Sequence, residues 1–117
     1  MKAALVMSVA VFTIGCQDAT APKSHTFELL QPSCSSPAPV LGRFDPDAPG
    51  FIVVFKGGVD AAQETPRLAS LYGFTPRFIY THALQGFSAQ LTPSALAAVR
   101  CESSVNYGEF NARMTIN

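Results

Sequence analysis

The chain has 117 residues, enough for one small domain. Its formal net charge is zero and only 14% of its residues are charged, with no basic stripe of the kind that binds nucleic acid. Two histidines and no Cys-x-x-Cys spacing argue against the usual metal sites, so no metal or other cofactor is expected.

Lys2 precedes an apolar run from Ala3 to Gly15. The run is shorter than the roughly 20 residues needed to span a bilayer and matches the core of a secretory signal over residues 1–15. It ends Phe12-Thr13-Ile14-Gly15-Cys16, which resembles a bacterial lipobox. Ile14, Gly15 and Cys16 fit that pattern, while Thr13 stands where leucine is usual. The resemblance implies lipidation of Cys16, so that the membrane is met only through that anchor. Gln17 after the cysteine points to an outer-membrane or cell-surface position. The alternative is ordinary cleavage at Ala19-Thr20-Ala21, hindered by Pro22, which would leave a periplasmic or extracellular protein.

With Cys16 lipidated, Cys34 and Cys101 remain as a pair in an oxidising compartment. A disulfide would close a loop of about 67 residues, worth roughly 4 kcal/mol in the chain-entropy model. Two unrelated thiols are the other reading.

Residues 16–50 hold Pro22, Pro32, Pro37, Pro39, Pro46 and Pro49 among many Ser and Ala, the composition of a tether. The apolar cluster from Phe27 to Leu30 can dock on the domain if Cys34 pins it; composition leaves this open.

From Phe51 the pattern changes. Phe51 to Lys56 reads as a strand apolar on both faces, ended by Gly57-Gly58. Asp60 is placed as a helix N-cap, with Gln63 at capping-box spacing. Leu68, Leu71 and Tyr72 share a helical face, and Gly73 is a stop. Pro66 predicts either a kink or a helix start at Thr65. Arg77 to Thr81 and Phe87 to Leu91 read as strands joined through Gln85-Gly86, the latter alternating Phe87, Ala89 and Leu91 with Ser88 and Gln90. Thr92-Pro93 opens a second helix carrying Ala95, Leu96 and Val99. Val105 to Phe110 is the last strand. The order predicts an α+β fold, a ferredoxin-like βαββαβ unit with a four-stranded antiparallel sheet and both helices on one face.

Three segments, FIVVFKGGVDAA, LYGFTPRFIYTHALQGFSAQLTPSALAAVR and VNYGEFNARMTIN, together resemble the propeptide of subtilisin-type serine proteases and the free-standing propeptide-like inhibitors. The likeness covers residues 51–117. Its most specific piece is THALQGFSAQLTPSAL, and the tail Thr115-Ile116-Asn117 is similar to the propeptide end in proteinase-K-like precursors. In that family the helix-free sheet face packs on the protease and the tail lies in the active-site cleft like a substrate. The resemblance implies that Asn117 fills the primary specificity site, with Met114, Thr115 and Ile116 before it and Met114 in an apolar pocket. Glu109 matches an acidic residue that caps a helix N-terminus on the protease, where a carboxylate meets orphan amides and the positive dipole end. Asn111 stands where the family commonly has Asp. Cys101 and Glu102 replace a short turn, Gly108 replaces an apolar strand residue, and Pro66 interrupts the first helix.

The expectation is therefore an exported inhibitor of subtilisin-like serine proteases, monomeric when free. One alternative is the propeptide of a longer secreted precursor, acting as intramolecular chaperone and temporary inhibitor. Another is a non-inhibitory envelope scaffold. His82 has no nucleophile and supporting acid to serve, and Ser88, Ser94, Ser103 and Ser104 sit in no Gly-x-Ser-x-Gly context, so no catalytic residue and no enzyme activity are expected.

Overall fold

Phe-Ile-Val-Val-Phe is made of the β-branched and aromatic residues that suit a pleated, half-buried surface, and Phe51–Phe55 forms a central strand. In the computed structural model, which describes residues 27–113, it is β2 of a five-stranded sheet. In chain order the elements are β1 (Val40–Leu41), β2, α1 (Ala61–Tyr72), β3 (Pro76–Tyr80), β4 (Gly86–Ala89), α2 (Pro93–Val99) and β5 (Val105–Phe110). The sheet order is β1-β5-β2-β4-β3.

The four long strands pair antiparallel, as expected. The four-stranded expectation is corrected by β1, which pairs parallel to β5 with Val40 opposite Gly108 and Leu41 opposite Glu109. Residues 27–50, read from composition as part of a tether, lie against the domain. Ala38 donates its N–H to the Arg100 carbonyl at 2.8 Å, Gly108 donates to the Pro39 carbonyl at 2.9 Å, and Arg100 Nε donates to the Ala38 carbonyl at 2.7 Å. The Cys34–Cys101 disulfide ties the same segment down, with Cα atoms 5.7 Å apart. These prolines leave enough N–H and C=O groups to cover the β5 edge, which would otherwise be open for pairing. Phe27 packs edge-on against Phe51, ring centroids 4.9 Å apart, in a cluster with Phe44 and Phe110. Leu29 and Leu30 remain exposed.

Helix α1 begins at Ala61, which rules out a start at Thr65. Asp60 Oδ1 accepts from the Ala62 N–H at 2.9 Å. The reciprocal capping-box bond from Gln63 to the Asp60 N–H is not made, and the neighbouring Ala61 N–H is met by a distant partner, Gln85 Oε1 at 3.0 Å. Pro66 sits inside the helix on the exposed side. The helix continues past it because Ala61, Thr65 and Leu68 are buried on the opposite side. Leu71 is not on that face and is 58% exposed. The inner stripe runs 61, 65, 68, 72, which leaves 71 on the flank. Gly73 ends the helix at φ 70°, in the left-handed region that favours glycine. Thr92 caps α2, accepting from the Ala95 N–H at 3.2 Å.

Helices and sheet meet in one core. Phe51, Val53, Phe55, Phe87, Ala89 and Val105 are packed with Leu68, Leu96 and Val99. Gly86 is required by close approach, because a Cβ there would lie 2.2 Å from the Val53 carbonyl oxygen.

Candidate functional site: the helix-free sheet face

Strand side chains alternate between faces, and residues paired across a ladder share one. Phe51, Val53 and Phe55 point to the helices, so Ile52 and Val54 point away. The register then lays out two rows on the helix-free face. One runs Leu41, Glu109, Ile52, Ser88, Phe78; the other runs Tyr107, Val54, Gly86, Tyr80. Phe78 is 57% and Leu41 48% exposed, and Ile52, Tyr80 and Tyr107 are half-buried. Among the described residues no helix or further strand lies across this face, although Val54 and Ser88 within it are buried. Phe27 docks on the other side, with the core-facing Phe51 and Phe110.

A cleft of about 240 Å³ opens at the end of the face where β2 begins and β4 ends. Arg77, Phe78, Ser88, Gln90 and Asn111 line it. A register irregularity between Pro76 and Phe78 makes Arg77 the extra residue of a bulge, and bulges re-aim side chains. The Arg77 guanidinium carbon lies 5.7 Å from the Phe78 ring centroid. Sequence patterning placed Ser88 on the non-core side of its strand but had no signal for the bulge that brings Arg77 beside it.

Glu109 is exposed within the open face, and Asn111 is half-buried, its N–H donating to the Gly50 carbonyl at 3.0 Å. The register puts Glu109 beside Leu41 and Ile52, and Asn111 follows Phe110 where the chain leaves the sheet. Arg113 then pairs with Asp47 and donates its N–H to Asp45 Oδ2 at 3.5 Å. Cys16 and residues 114–117, the expected lipidation site and protease-binding tail, lie outside the described residues.

The turn before β5 is held from the helix side. Arg67 bonds Glu64 and reaches Glu102 at 2.9 Å, Tyr72 donates to Glu102, and Ser104 donates to Glu64 at 2.9 Å. The hydrogen bond from Arg67 holds the Glu64 carboxyl below its usual range, and the one from Tyr72 does the same for Glu102. Donating to that carboxylate raises the Tyr72 phenol. This cluster is a structural clip: through Glu102 and Ser104 it ties the turn between Cys101 and β5 to α1. His82 is exposed in the loop between β3 and β4. No group of three or more His, Cys, Asp or Glu among the described residues could hold a metal ion. No protein-family model matches the chain.

Proposed function

We propose that this chain inhibits subtilisin-like serine proteases, its helix-free sheet face docking on the protease and residues 114–117 occupying the active-site cleft as a substrate would. The observation that carries the reading is the apolar open face of Leu41, Ile52, Phe78, Tyr80 and Tyr107, which no helix or further strand among the described residues covers. A contiguous apolar patch on a small domain marks an interaction surface. Glu109 gives that surface a carboxylate able to meet the N-terminus of a helix. The chain leaves β5 at the same end, through Asn111 to Arg113, so face and tail can engage one partner together. Export as a lipoprotein anchored at Cys16 belongs to the same reading, and the disulfide suits an oxidising compartment.

Titration of the full chain into a panel of subtilases, followed with a chromogenic peptide, tests this. Micromolar or tighter inhibition is expected, with strong weakening when residues 114–117 are deleted. A chain that leaves every subtilase unaffected is a scaffold, and the inhibitor reading is then abandoned.

A further inference from the structure

The cleft at the end of the open face has a chemistry of its own. Ser88 is only 9% exposed, and its Oγ has no hydrogen-bond partner among the described residues. Burying a hydroxyl unpartnered is unfavourable, so such groups are normally satisfied by protein, water or ligand. Ser88 points to the helix-free side, beside Phe78 in the β3–β4 register, and lines the cleft. The other polar residues that line it, Arg77, Tyr80, Gln90 and Asn111, all carry side-chain donors. No acidic residue lines the cleft, and among the described residues Arg77 has no carboxylate within salt-bridge distance.

We propose that this cleft is a socket for one carboxylate side chain, an Asp or Glu presented by the docked protein. A carboxylate has two oxygens and accepts about four hydrogen bonds, and a guanidinium fork beside a hydroxyl and two amides matches that need. One cation against one anion leaves the closed contact neutral. The cation–π contact with Phe78, 5.7 Å from guanidinium carbon to ring centroid, restricts where the fork sits, so less freedom is lost when the anion arrives. Asn111 begins the segment that runs toward the tail, so a carboxylate seated here also sets where the tail enters the partner. The proposal rests on the protease-docking reading for the identity of the partner alone; the carboxylate preference is a property of the cleft.

The full chain, labelled with ¹⁵N, is titrated with N-acetylglutamate α-amide and, separately, with N-acetylglutamine α-amide, which has the same shape without the charge. Saturable shifts are expected at Arg77 Nε and at the side-chain amides of Gln90 and Asn111 with the carboxylate probe, several-fold smaller with the neutral one, and absent in Arg77→Gln. Equal responses to both probes, no saturable shift, or the same resonances moving on deletion of residues 114–117 alone would overturn the proposal. The last result would place the chain's own tail in the socket. In the protease assay, Arg77→Gln is expected to weaken inhibition about tenfold and flatten its dependence on salt. Ser88→Ala should weaken inhibition while leaving thermal stability unchanged or higher. If deleting residues 114–117 weakens inhibition but Arg77→Gln does not, the socket is refuted and the inhibitor reading survives. If no subtilase is inhibited, the docking reading falls and the probe titration alone decides on the socket.

Discussion

Ala61 and Gln85, 24 positions apart in sequence, are joined by a 3.0 Å hydrogen bond from the Ala61 N–H to the Gln85 side-chain oxygen. The same side chain donates through Nε2 to the Thr81 carbonyl at 2.7 Å. One residue thus shapes the β3–β4 loop and satisfies the first orphan donor of α1. Gln85→Ala should cost about 1 kcal/mol in urea unfolding, as loss of a cap does. Gln85→Glu keeps the acceptor for the Ala61 N–H but replaces the donor to the Thr81 carbonyl with a second carboxylate oxygen, so only part of that loss should be recovered. An alanine variant as stable as the parent would show the bond to be incidental.

Reduction of the Cys34–Cys101 bridge, or Cys34→Ser with Cys101→Ser, should lower unfolding free energy by about 4 kcal/mol for a loop of this length. The loss should appear first where residues 27–50 meet the sheet. Hydrogen exchange at the Ala38 and Gly108 amides, both bonded across that seam, should quicken before exchange at Val53. Uniform quickening would mean the bridge supports the whole core and not the seam.

Two strand glycines are predicted to behave oppositely. Gly86→Ala forces a Cβ to within 2.2 Å of the Val53 carbonyl oxygen and should destabilise by about 3 kcal/mol. At Gly108 the nearest atoms to an added Cβ are 4.0 Å away, so Gly108→Ala should be neutral or stabilising by up to about 1 kcal/mol. Thermal melts of the two variants side by side make the comparison.

The Glu64–Arg67–Glu102–Tyr72 clip sets a pH window. Both carboxyls titrate lower in the folded chain than their usual 4.5, so their contribution is full above that value and is lost as pH falls through the folded values. The Tyr72 phenol is raised above its usual 10.0, so its contribution is full below that value and is lost as pH rises through the folded one. Stability against urea should therefore be flat across neutral pH and fall at both ends. Glu102→Gln should reduce both slopes. An unchanged alkaline limb in that variant would detach Tyr72 from the effect.

Phe78 is more than half exposed, so Phe78→Ala should leave the melting temperature within a degree or two while weakening inhibition of a sensitive subtilase about tenfold. A variant inhibiting as well as the parent would remove the open face from the proposed interface.

How much was legible follows the range of the forces involved. Asp60, Gly73 and Thr92-Pro93 act on their own neighbours, and the helix limits they imply are within a residue or two of those found. Leu71 was misplaced because three residues are too few to define a stripe. The Pro66 ambiguity was resolved by core contacts at Thr65 and Leu68 that outweigh one missing hydrogen bond.

By itself the sequence determined the run of two helices and four long strands, because period, caps and glycine stops are local, and it offered Cys34 and Cys101 as a pair only with Cys16 set aside; the structure joins them. Only the tertiary structure decided that residues 27–50 fold back, that β1 runs parallel to β5, and that a bulged Arg77 and an unpartnered Ser88 line one cleft. Those features depend on ladder register and on contacts between residues tens of positions apart. Side-chain pattern along a single strand carries no record of which edge it will meet.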